Sequence, residues 1–217
     1  MSSELIDLFV SSFGETLMMV VISGVVGSLL GIPLGIALHI TESKGVLPNA
    51  AFNRIAGLLV NAVRSTPFII LLVAVIPMTR FFVGTSIGTA AAIVPLTIAA
   101  APFIARLVET ALREVDHGLV EAAQAMGATT WQIIYKVLVP EAFAGIVAGL
   151  TITFVSLVGY SAMAGAIGGG GLGDLGIRYG YQRFLPEVML AVVVVLILFV
   201  QAVQSLGDWA VRRLSHK

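Results

Sequence analysis

Long apolar stretches near residues 16–40, 57–78, 90–104, 142–167 and 187–206 dominate the chain. They read as five membrane-spanning helices, since a crossing of the hydrocarbon core takes ~20 helical residues. Between the third and fourth stretches, over about 106–140, the pattern changes. There Leu119, Ala122, Ala123 and Met126 recur at i, i+3, i+4 and i+7, with Glu121 and Gln124 off that stripe, which predicts a short amphipathic helix over 118–126. Asp116 stands where its N-cap belongs. Gly127 supplies the left-handed backbone that ends such a helix, and Thr129 or Thr130 can cap a second one carrying Ile133, Ile134, Val137 and Leu138. Pro140 fits the first position of the next helix, where its missing N–H costs nothing, and Glu141 suits the positive end of that helix dipole. The predicted unit is a pair of helices meeting at a glycine corner between two spans.

Composition turns this pattern into a fold class. Charged residues are 11% and hydrophobic residues 58%, with a mean hydropathy of +1.03, whereas soluble domains carry about 25% charged residues. The expected protein is an all-α integral membrane protein, with residues 1–217 as one transmembrane domain and no room for a soluble catalytic domain. Lys plus Arg and Asp plus Glu are 12 each, which gives no cue for nucleic acid. The absence of cysteine excludes disulfides and thiolate metal sites. The first fifteen residues carry Glu4, Asp7 and Glu15 but no Lys or Arg, so the cationic start of a secretory leader is missing and no cleaved segment is expected.

The cations are unevenly placed. With five spans, one side holds Lys44, Arg54, Arg106, Arg113, Lys136, Arg212, Arg213 and Lys217, and the other only Arg80, Arg178 and Arg183. The positive-inside bias then puts the N-terminus outside, and both the C-terminus and the 106–140 segment in the cytoplasm. Within the first span Gly27, Gly31 and Gly35 repeat every four residues beside Ser23, a nearly bare face suited to close helix packing inside the bundle or in a dimer; Gly145 and Gly149 do the same in the fourth. Prolines 67, 77, 95 and 102 are expected to interrupt the second and third spans, and broken helices suggest either a pathway or simple kinks. Arg64 falls some way into the second span, as an interface anchor or at the inner mouth of a pathway.

Several motifs point nowhere. Gly168 to Gly173 formally matches a dinucleotide fingerprint, but it follows a membrane helix rather than a strand, so it reads as a flexible outer turn and candidate hinge. No phosphate-binding P-loop occurs, so any ATP hydrolysis belongs to another chain. Ser161 lies in a Gly-x-Ser sequence without a histidine base at similar depth, since His39, His117 and His216 all map to the cytoplasmic side. No metal-ligand spacing is present.

The spacing of Glu121-Ala122-Ala123, Gly127 and Pro140 resembles the EAA loop by which permease subunits of ABC importers dock onto their ATPase. RSTPFIILL at 64–72, VGTSIGTAAAIVPLT at 83–97, APFIAR at 101–106 and LVGYSAMAGAIGGGGLG at 157–173 are similar to segments of methionine-importer permeases. Val137 and Val139 replace the usual Ile and Leu of the loop, a conservative departure. The resemblance implies a type I importer permease core, in which Glu121, Ala122, Ala123, Met126, Gly127 and Pro140 engage the ATPase. It also implies a second copy of this chain, two ATPase subunits that bind ATP and Mg²⁺, an extracytoplasmic binding (lipo)protein, and methionine of L or D configuration crossing a bacterial inner membrane. No cofactor is expected on the chain itself. Pro67, Phe68, Tyr160, Ser161 and Met163, at helix breaks or mid-span, are the candidates for the translocation pathway or gate. Other readings are a permease for an osmoprotectant or phosphonate, a self-sufficient carrier, which would need ionisable residues near a span centre, and a membrane hydrolase, which would need the absent base.

Overall fold

The computed structural model describes residues 3–214, so the contributions of His216 and Lys217 to the charge pattern lie outside the described residues. Every regular element among those residues is helical. Helix α1 (Ser3–Ile40) leads through residues 41–49 to α2 (Ala50–Ser65), α3 (Phe68–Ala74) and α4 (Ile76–Val83), then to α5 (Thr89–Arg113). The polar region folds as α6 (His117–Ala125) and α7 (Thr130–Ile133), which runs through a π-helical turn, Ile134–Leu138, into α8 (Val139–Ala164). Beyond a second π-turn come α9 (Gly171–Leu175), a third π-helical stretch (Gly176–Gln182) and α10 (Pro186–Leu214). Four long apolar helices can cross a membrane, Glu4–Ile40, Thr89–Arg113, Thr130–Gly169 and Pro186–Leu214; α2 and α3, bent by 108° against each other, can make a fifth crossing.

Helix α5 is the centre of the bundle, with Leu96, Ile104, Val108 and Leu112 almost wholly buried. The glycine stripe of α1 packs on it within this chain: a Cβ at Gly31 would lie 2.6 Å from the Ala101 carbonyl oxygen, and one at Gly35 2.5 Å from that of Ala105. Gly145 and Gly149 of α8 meet Ala111 and Leu107 on another side of α5. In lipid there is little hydrophobic drive between helices, so this backbone-level approach is what gives α1, α5 and α8 their dispersion contact. By contrast α10 buries only Val188 and Val192, and Leu58 and Leu59 of α2 are exposed.

One expectation holds and three change. The second stretch is broken where a proline is expected to break it: the chain turns at Thr66-Pro67, because Pro67 holds φ −55° with ψ 135° and cannot continue α2. Prolines 95 and 102 do not interrupt the third span, since α5 runs through both and on to Arg113, where its neighbours hold it. Pro140 does not begin a new helix. The π-turn before it shifts the hydrogen-bond register, so α7 and α8 run on as one helix from Thr130 to Ala164 across the proline. The glycine-rich turn is no loose hinge either: Gly171 N–H donates to Glu15 Oε2 at 2.6 Å and Leu172 N–H to Thr16 Oγ1 at 2.9 Å, which pins the elbow to α1. Leu172 and Leu175 then form a small core with Val188, Val192 and the start of α1.

Candidate docking corner and solute pathway

The 116–140 corner is fixed by local chemistry. Asp116 Oδ1 accepts from the Gly118 N–H at 2.7 Å and starts α6. Gly127, at φ 77°, reverses the chain, and its N–H and that of Ala128 satisfy the carbonyls of Gln124 and Ala123 at 2.9 and 3.0 Å. Thr129 and Gln132 then form a reciprocal capping box, at 2.8 and 3.4 Å, which starts α7. Ile133, Ile134 and Leu138 anchor the far side in the main core.

The apolar stripe of α6 divides. Ala123 packs inward, whereas Leu119, Ala122 and Met126 face out, Met126 at 82% exposure, with Glu121 and Pro140 also exposed. Trp131 and Tyr135, both exposed, stack with ring centroids 5.1 Å apart. Nothing lies within 4 Å of where a Gly127 Cβ would sit. The corner is firmly capped yet uncovered, and its exposed apolar side chains form a patch of the kind that meets another protein or lipid. An acidic groove of about 390 Å³ lies at its foot, lined by Glu114, Asp116, Leu119 and Glu141; Glu114 and Glu141 form no ion pair among the described residues.

The pathway candidates are only partly brought together. Phe68, at the start of α3, stacks on Tyr160 of α8 with centroids 4.6 Å apart and planes 9° from parallel. Both line a cavity of about 110 Å³ with Val63, Arg64, Thr66 and Phe103. Pro67 sits at the bend that delivers Phe68 there. The Arg64 guanidinium stands 5.9 Å from the centre of the Phe103 ring. Ser161 is buried and its hydroxyl donates to the Val158 carbonyl at 2.8 Å, so its proton is taken within α8. Met163 is exposed and lies apart from the cavity.

The charge pattern alone leaves one cluster unnoticed. Glu109, 2% exposed, receives Arg106 on one carboxylate oxygen at 2.7 Å and Arg113 on the other at 2.6 Å. Arg106 also donates to Asn61 Oδ1 of α2 at 2.8 Å, and Arg113 Nε to Glu42 Oε1 of the 41–49 connection at 2.8 Å. The signal is present in the sequence as an acid with arginines at i−3 and i+4 on one helical face.

A helical membrane bundle with a polar-mouthed cavity at a broken helix, and a capped but uncovered corner elsewhere on its surface, fits a transport subunit that engages a second protein. The chain belongs to the family of binding-protein-dependent transport system inner membrane components, which its residues 27–216 match. It is 58% identical over 211 residues to a probable D-methionine transport system permease protein, MetI, of Vibrio cholerae, covering 97% of this chain and 94% of that relative. It is 54% identical over 165 residues to the D-methionine transport system permease protein MetI of Escherichia coli K12, covering 76% of each. A solved structure described as an inward-facing conformation of the MetNI methionine ABC transporter superposes with a TM-score of 0.97 at 51% identity, covering 99% of both chains. An amino acid ABC transporter solved with histidines, at 22% identity and a TM-score of 0.80, shares the fold. The chain is therefore an inner-membrane permease of the all-α, type I importer architecture.

Proposed function

We propose that this permease carries methionine, L or D, inward through a complex of two copies of the chain and two copies of a cytoplasmic ABC ATPase, which binds ATP and Mg²⁺. An extracytoplasmic binding protein delivers the solute. Residues 1–217 act as one transmembrane domain with its N-terminus outside, C-terminus inside and residues 106–140 as the coupling segment. The observation that carries this reading is the rigid, uncovered corner at Gly127, flanked by Glu121, Ala122, Met126 and Trp131. Its exposed Met126 and Trp131 offer apolar anchors, and the unpaired carboxylates of Glu114 and Glu141 favour a partner surface bearing arginine or lysine. The choice of methionine follows the function given to the relatives named above, at 54–58% identity.

On this reading the cavity at Phe68 and Tyr160 lies on the solute route, where aromatic faces and a cationic rim suit a zwitterion with an apolar side chain. Membrane vesicles holding the complex test the proposal directly. ATP-dependent uptake of labelled methionine, competed by unlabelled methionine and not by glycine betaine or a phosphonate, is the expected result. Uptake that competes only with one of those other solutes would overturn the substrate, and uptake without ATP would overturn the mechanism.

A further inference from the structure

We infer that Glu109 is the positioning hub through which movement of the docking corner reaches the broken helix at Pro67, an inference that rests on the proposed ATP-driven cycle. Its carboxylate is almost fully buried, and each oxygen is taken by a different arginine. Losing either arginine would leave one oxygen of this buried carboxylate without its partner, which is costly, and all three residues stand on the last two turns of α5, so Arg106, Glu109 and Arg113 move as one body. That body is the end of α5, only three residues before α6 begins at His117. A displacement of α6 by a docked ATPase therefore acts on it through a very short connection.

The outward contacts of the hub lead to α2. Arg106 holds Asn61 at 2.8 Å, one turn and a half before the Thr66-Pro67 break. Arg113 holds Glu42, in the connection whose Thr41 receives Asn53 of α2 at 3.1 Å. Helix α2 is thus gripped near both ends, at Asn53 and Asn61, while it buries just Val60 in the bundle. Its other ties are the Asn53 bond to the Leu38 carbonyl at 2.6 Å and Arg64 over the Phe103 ring, so among the described residues the Arg106–Asn61 bond is the one directional polar link by which α2 follows the charged end of α5. Just beyond the far end of α2, the Thr66-Pro67 bend places Phe68 of α3 against Tyr160. Each arginine of the cluster thus reaches a different element, Arg106 the helix α2 and Arg113 the 41–49 connection.

Asn61 is the place to test this, because it is exposed and makes no contribution to the core. The purified complex with its ATPase, reconstituted in liposomes, is assayed for methionine uptake and ATP hydrolysis together. Asn61→Ala should insert and hydrolyse ATP, yet move roughly fivefold fewer methionines per ATP, the low end of ordinary coupling strengths. Asn61→Asp, which keeps an acceptor for Arg106, should recover the ratio. An unchanged ratio in Asn61→Ala with wild-type uptake would overturn the hub, as would a loss that Asn61→Asp does not recover. If the wild-type complex itself shows no ATP-driven methionine uptake, the functional reading fails first and the hub with it.

Discussion

Phe68 lies flat on Tyr160, centroids 4.6 Å apart, although 92 positions separate them along the chain and one stands on a short helix after a 108° bend. The stack closes one wall of the cavity beside Arg64. Removing a ring by Phe68→Ala forfeits the pair, worth about 1 kcal/mol beyond area burial, and opens the wall. Expected outcomes are a lower melting temperature of the purified complex and uptake that no longer saturates normally. Tyr160→Phe keeps the stack but loses the hydroxyl, so stability should hold while KM for methionine rises at unchanged kcat. Wild-type KM in both variants would place the route elsewhere.

At Gly127 the constraint is the backbone alone. With φ at 77° and no atom within 4 Å of the place a Cβ would take, Gly127→Val strains the turn by ~1–2 kcal/mol without touching the core. The helical bundle should insert normally, while copurification of the ATPase and uptake both decline. Glu121→Lys should give the same phenotype through charge. Normal ATPase recovery with normal uptake in both variants would rule out the corner as the docking site.

Gly31 is the opposite case. Its surroundings are crowded, with the Ala101 carbonyl oxygen 2.6 Å from a would-be Cβ. Gly31→Leu should push α1 from α5 at a cost of about 1–3 kcal/mol or more, as overpacked cores do. The predicted result is a loss of detergent-stable protein on size-exclusion chromatography, together with any activity. Gly14→Leu, at a position with open space around it, is the matched control and should behave as wild type.

How much of this is legible in the sequence follows from where the determinants lie. The corner is readable because Asp116, Gly127 and Thr129 act within four residues of themselves, through caps and a positive φ. The α1 stripe is readable as a close-packing face, though only the structure shows that α5 fills it. The break at Pro67 is readable from the proline itself, but its 108° angle is not, because hydropathy stays high on both sides and reports depth rather than direction. Pro140 misleads because a π-turn can absorb a proline that an unbroken α register would exclude. The glycine elbow reads as loose because its restraint comes from Glu15 and Thr16, 156 residues away in sequence. Ser161 reads from sequence as an open hydroxyl, whereas in the fold it is buried and donates to the Val158 carbonyl of its own helix, a local bond that no pattern of polarity announces.

Orientation can be settled by accessibility, and the chain has no native cysteine to confuse the result. Glu4→Cys, near the start of α1, should react with an impermeant thiol reagent in cells whose outer membrane has been permeabilised. Arg213→Cys, exposed at the end of α10, should react only after the inner membrane is opened. The reverse pattern would turn the molecule over and put the Gly127 corner on the face away from ATP.

Met163 offers a test of how two copies meet. It is 48% exposed while its helical neighbours Ser161 and Ala164 are buried, so its side chain points away from the protomer's own core. In a two-fold dimer a residue near the axis faces its own copy, and a flexible thioether there can adapt to a contact that forms and breaks. Met163→Cys in the otherwise cysteine-free chain should form a disulfide-linked dimer in the nucleotide-free complex and lose it when the ATPase is held with ATP. A crosslink that persists in both states makes Met163 a static interface residue. No crosslink in either state moves the axis away from this face of α8, toward the apolar faces left exposed on α2 and α10.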